Sequence, residues 1–325
     1  MKVDIGSVTA FIIDMKATLV FASAFLLNAA LHAGAPATAM VMKTESAWEG
    51  AFSIDTGWSQ DHFEWTIAGD LNGQNPNVLS ELDWRHLNIV TMGGQAEFTY
   101  HKIWHLELSG GYGWIVSGGN RDSDYYFDNH SGEFSRSVAD TRGSRVDADL
   151  VIGRDFQINP KVTLTPQIGF TYHRLRLNDR EGVQLIDMEF HDVGPFAGLD
   201  SLYTSSWWGP TFGLQARVQL GEKWRWLAGA RFELLRYKAH ADWNLRPDFI
   251  SFRDSANGNG WQLTTGVEWD FAQHWTLALL GDYSHRRTGS GTDDTLLNDQ
   301  SHELTRFNGA RWDSFGVRVI ATYRF

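Results

Sequence analysis

The segment Asp122-Ser123-Asp124 sets two carboxylates two residues apart. On an extended strand such residues point the same way, so the pair would share charge, raise its own basicity and suit general-base work on a water. In most proteins an Asp-x-Asp is a solvated loop feature or a cation ligand, and spacing alone does not decide. His240-Ala241-Asp242 offers an imidazole and a carboxylate with the same i, i+2 relation. An aspartate can orient a histidine for proton transfer, yet an ordinary His and Asp at a surface would be spaced no differently. Nucleophile chemistry finds no footing, because Gly-x-Ser-x-Gly does not occur. With no Cys, disulfides and thiolate metal sites are excluded, and no metal is expected. Arg174, Arg176 and Arg217 fall in strand-like segments, where they would either meet lipid phosphates or line a polar lumen.

The elements that must hold these residues alternate with period two, the signature of strands with one face apolar. Trp261, Leu263, Thr265, Val267, Trp269 and Phe271 form one row, and Trp275, Leu277, Leu279, Gly281 and Tyr283 the next, with Ala272-Gln273-His274 as the turn between them. Similar rows run from Trp224 to Leu234 and from Val162 to Tyr172. The mature chain divides into ten such strands. Short turns are expected near His101-Lys102, Asn159-Pro160, Gly221-Glu222 and Gln273-His274. Long polar loops are expected over roughly 70–78, 118–143, 179–200, 244–258 and 289–309. Short turns at one end and long loops at the other, with aromatic residues at both ends of the rows, describe an antiparallel transmembrane β-barrel.

Bulk composition agrees by being ordinary. Mean hydropathy is -0.31, and no apolar run reaches the ~20 residues a membrane helix needs. Alternation hides the hydrophobicity of a barrel, while 15 Trp and 20 Phe supply its aromatic belts. The net charge of -11 disfavours nucleic acid as a partner. At the N-terminus, Met15-Lys16, the apolar stretch Leu19 to Leu31 and Ala37-Thr38-Ala39 read as a signal peptide over 1–39. Translation is expected to start at Met15, since Asp14 is the wrong charge for a leader, and 40–325 is then a single barrel. The last strand, Phe315 to Phe325, ends on an aromatic residue. That ending is similar to the signal read by the machinery that assembles outer-membrane barrels.

Several local matches resemble the omptin family of outer-membrane proteases across about Phe52 to Phe325. They are Leu82-Asp83-Trp84, the run Gly118-Gly119-Asn120-Arg121-Asp122-Ser123-Asp124, the spacing of Gly169-Phe170, Arg174 and Gly182, and Tyr203 with Pro210 and Gly213-Leu214. The resemblance implies a ten-stranded barrel in which an Asp-Asp pair on one wall and an Asp-His pair on the other activate a water for direct attack on a peptide bond. It implies Asp122 and Asp124 as the first pair and Glu64 as a substrate-binding carboxylate. It also implies cleavage beside basic residues and a requirement for lipopolysaccharide, with no other cofactor. The second pair departs from the pattern. Ungapped alignment puts Trp243 and Leu245 in the Asp and His positions and Ala241 where an acid stands, leaving His240 and Asp242 as the only local replacement. Phe134-Ser135-Arg136 and Val138-Ala139-Asp140 likewise stand where the family has Trp-Thr-Asp and His-Pro. The expectation is therefore an outer-membrane endopeptidase with altered or lost catalysis acting on polypeptides. The rival is a noncatalytic barrel serving as a narrow channel, adhesin or structural protein.

Overall fold

The computed structural model describes residues 47–246 and 249–325, and the expected signal peptide and the start at Met15 lie outside them. Ten long strands form the barrel: β1 (Trp48–Ile67), β2 (Ser80–Tyr100), β3 (Trp104–Phe127), β4 (Ser131–Arg154), β5 (Val162–Asp187), β6 (Ser201–Gln219), β7 (Trp224–Asp242), β8 (Phe249–Ala272), β9 (Trp275–Thr288, continued by Gly291–Leu297) and β10 (His302–Arg324). Each pairs antiparallel with its neighbour in sequence, and β1 closes on β10 from Ala51↔Arg324 to Ile67↔Phe307. Two short strands, Phe156–Asn159 and Gly194–Pro195, pair with β5.

The start of β1, the end of β10 and the tight turns share one end, which is the periplasmic end in barrels of this type. His101 (φ 50°) and Lys102 (φ 60°) make one of these turns, where it was expected. The other end differs from expectation. Residues 118–143 do not form a loop: β3 and β4 continue as a ladder to a turn at Asp128-Asn129-His130. Asn129 and His130 both sit at φ 59°, a left-handed conformation that Asn and His adopt more readily than most residues. Most of 244–258 belongs to β8, and most of 289–309 to β9 and β10. Their polar residues looked like loop sequence because both faces of a strand above the membrane can be polar. The strands run to 26 residues in β5, far beyond the ~9–11 needed to cross hydrocarbon, so the barrel stands well above the bilayer.

The outward face carries the expected apolar belt, including Leu263, Leu279 and Phe315. Aromatic rings border it on both sides. Trp224 stacks on Trp269 at 5.7 Å near the periplasmic end, and Tyr112 meets Trp114 at 4.9 Å and Trp261 meets Tyr283 at 5.1 Å near the other. Burying such a belt in lipid rather than leaving it in water is the main reason these strands belong in a membrane.

Inside, the barrel has three levels. Towards the outer end Phe63, Trp65, Trp84, Tyr203, Trp207, Tyr237, Phe252, Phe307 and Trp312 pack into a plug with almost no solvent access. Below it runs a charged belt. Arg286 holds buried Glu233 through Nε–Oε2 (2.8 Å) and Nη2–Oε1 (3.1 Å) and lies over the Trp312 ring at 5.0 Å. Arg145 bridges Asp61 (3.1 Å) and Asp147 (2.9 Å). Every one of these charges has a partner, as burial demands. The lowest level is a polar cavity of about 320 Å3, lined by residues such as Asp55, Glu107, Arg231 and Arg318.

Candidate functional site

The expected acid pair forms on β3 above the aromatic ring. Its orientation depends on a bulge between Ile115 and Gly119. Below the bulge odd-numbered residues such as Ile115 face inward; above it Asn120, Asp122 and Asp124 do. Asp122 stands opposite Leu82 and Ser137, and Asp124 opposite Ser80 and Ser135. Burial, and then the Asp124 carboxylate, push Asp122 up to about 8, so it is mostly protonated at neutral pH. Burial raises Asp124 as well. Oδ1 of Asp122 is buried without a hydrogen-bond partner. Arg246, on the segment after β7, places its Nη2 3.7 Å from Asp124 Oδ2.

The other expected groups do not join this pair. On β7 the inward residues are Tyr237, Ala239 and Ala241, so His240 and Asp242 share a face, but it is the outer one. The imidazole expected across from Asp122 is therefore not there; strand parity forbids it. Instead Trp243 packs onto the plug, stacked on Tyr203 at 6.5 Å and tilted against Phe252 at 5.4 Å. Glu64 also faces outward, because Phe63 and Trp65 on either side are inward. It lies beside His62 rather than in the cleft.

Residues the sequence reading passed over are more central. Asp179 accepts hydrogen bonds from Trp84 Nε1 (3.0 Å), Asn120 Nδ2 (2.7 Å) and Thr141 Oγ1 (2.6 Å), while burial raises it to about 6. On the opposite wall Asp254 of β8 and Asp293 of β9 are direct cross-strand partners, both almost fully buried. Tyr203 Oη donates to Asp254 Oδ2 at 2.8 Å, and Thr305 Oγ1 donates to Asp293 Oδ2 at 3.1 Å. Oδ1 of each aspartate has no donor. Burial holds Asp254 well above the carboxylate range and raises Asp293, so the pair keeps a proton between them. Parity alone would have flagged Asp254, two residues from inward Phe252. Its pairing with Asp293 depends on the register of a segment that reads as loop.

The rim thus carries acid pairs on opposite walls with a dry aromatic plug between them. A model of the family described as Pom, Protochlamydia outer membrane protein, matches residues 53–325. The chain belongs to that family. Its location is the cell outer membrane. Among solved structures, the outer membrane protease OmpT from Escherichia coli is similar with a TM-score of 0.75 at 15% identity, covering 85% of this chain and 97% of that one. The match bears out the omptin-like barrel at the level of fold. The OprG protein of Pseudomonas aeruginosa (10% identity, 85% and 96% covered) and the NalP translocator domain of Neisseria meningitidis (12%, 98% and 98%) reach TM-scores of only 0.34. No curated protein sequence is significantly similar to the chain.

Proposed function

We propose that this protein is a closed, noncatalytic surface barrel that keeps the omptin architecture, anchors in lipopolysaccharide and presents a rigid rim to the exterior. The observation that carries this reading is what fills the cleft. Trp243 stacks where the family resemblance calls for a catalytic acid, Arg246 neutralises Asp124, and His240 points away. A mostly protonated Asp122 is a poor base at neutral pH. The plug and the ion-paired belt leave the lumen too filled for free diffusion, as expected for so narrow a barrel.

The outer face above the lipid belt supports the lipid partner. Across β5, β6 and β7, Arg174 and Lys238 flank Ser206, Arg176 and His240 flank Thr204, and Tyr172 and Arg236 flank Trp208. Among the described residues none of Arg174, Arg176, Arg236 or Lys238 has an ion-pair partner. Unpaired cations directly above membrane-border aromatics suit the phosphates of an outer leaflet.

One observation favours the endopeptidase reading: the unpartnered Oδ1 of Asp122. Reconstitution with lipopolysaccharide decides between them, using a library of peptides with basic residues and planar-bilayer conductance. We expect neither cleavage nor conductance. Cleavage lost in Asp122→Ala would reinstate the endopeptidase, and steady ion conductance would refute a closed barrel.

A further inference from the structure

On the outer face of β1 and β2, above the membrane belt, His62, Glu64 and Asp83 converge. His62 and Glu64 are two apart on β1, and Glu64 is the direct cross-strand partner of Asp83. A bulge on β2, where Asp61↔Leu87 gives way to Phe63↔Trp84, sets Arg85 and His86 opposite His62, with His86 at φ 51°. His62 Nε2 lies 2.8 Å from Asp83 Oδ1 and 3.5 Å from Glu64 Oε2, and all three ligand atoms fall within 4.8 Å of one another.

We propose that His62, Glu64 and Asp83 form a binding site for a divalent transition-metal ion, of which zinc is the best match. Tetrahedral zinc, with ligands at about 2.1 Å, needs donor atoms about 3.4 Å apart, which these side chains meet after movements of under about 1 Å. Imidazole nitrogen and carboxylate oxygen are both zinc donors, and three protein ligands leave the fourth position to water or an external ligand. Asp83 is prepared for the role. Its carboxylate is buried although it stands on the outer face, and its Oδ2 is held by Arg85 at 2.5 Å and Arg121 at 3.3 Å. Those two arginines fix Oδ1 towards His62, the orienting contact that metal-binding carboxylates characteristically receive. The proton on His62 Nε2 that now bridges to Asp83 Oδ1 occupies the place the ion would take. Metal binding replaces that proton, and the neighbouring Arg85, Arg121 and Arg311 balance the two carboxylates without supplying competing ligands.

The ordinary alternative is an ion-paired triad that binds no metal. Isothermal titration of the tag-free, folded barrel in detergent with zinc chloride separates the two, and cobalt(II) absorption reports the geometry. We expect saturable binding of about one zinc per chain, weakened at least about ten-fold in both His62→Ala and Glu64→Gln, with intense tetrahedral cobalt bands that disappear in the same variants. Heat-modifiable migration on gels checks that each variant is folded, and half-exposed Glu64 gives a substitution that the core does not feel. Absence of saturable binding overturns the proposal. So does binding that persists unchanged in either folded variant, since it would then belong to other histidines.

Discussion

Replacing Asp122 by Asn should reduce the pH dependence of this barrel's stability. In the folded chain Asp122 rises from an ordinary 3.8 to about 8, chiefly through burial and then through Asp124. The folded state therefore holds a proton that the unfolded chain has released above about pH 4. Its contribution is complete below that pH and is lost as the pH rises towards 8, so stability falls with rising pH over this window. A tenfold change in proton affinity is worth ~1.4 kcal/mol, which sets a ceiling of ~6 kcal/mol. An effective dielectric of ~20, rather than that of a dry apolar medium, lowers the realised effect to on the order of 2 kcal/mol. An amide has the shape of the neutral carboxyl and cannot ionise, so Asp122→Asn should exceed the parent only slightly at pH 5 and by a much wider margin at pH 9. Urea titration of the heat-modifiable band at both pH values measures this. A parent midpoint that does not move between pH 5 and 9, or a variant that keeps the parent's slope, would refute the reasoning.

Two further outcomes follow from charged residues inside and outside the barrel. Arg286→Met takes the guanidinium from buried Glu233, leaving only the His173 imidazole at 3.6 Å beside it, and should cost ~3–5 kcal/mol, whereas the double variant Glu233→Leu/Arg286→Met should recover most of the loss in urea midpoint. Exchanging Arg174 and Lys238 for Ser should weaken lipopolysaccharide retention by ~1 kcal/mol per charge, more at low salt than at high salt; equal retention at low salt would remove these residues from the lipid contact.

The transmembrane half of this fold was legible in the sequence because one constraint dominates there. Rows such as Trp261 to Phe271 must be apolar on one side, and period two follows. Above the membrane that constraint lapses. Residues 118–143 and 289–309 alternate between water and the interior, or are polar on both faces, and so read as loops. The acid pair was found by its spacing, but its inward direction depends on the Ile115–Gly119 bulge, which shifts parity without a strong local signal. The pairing of His240 with Asp242 on one face was right, while the choice of face needed the position of Ala239 and Ala241 in the plug. Asp254 and Asp293 lie far apart along the chain, and only register unites them.

The seam between β1 and β10 also limits how this protein can meet others. Gly50 and Phe325 exchange backbone hydrogen bonds at 3.2 and 3.0 Å, at the periplasmic limit of a ladder that reaches Ile67 and Phe307. Closed in this way, the seam leaves neither β1 nor β10 a free edge, so a partner cannot dock there by extending the sheet with a strand of its own. Recognition along the seam must pass through side chains. At the seam, backbone-mediated capture is confined to the interval before β10 finds β1, when both of their edges are still open.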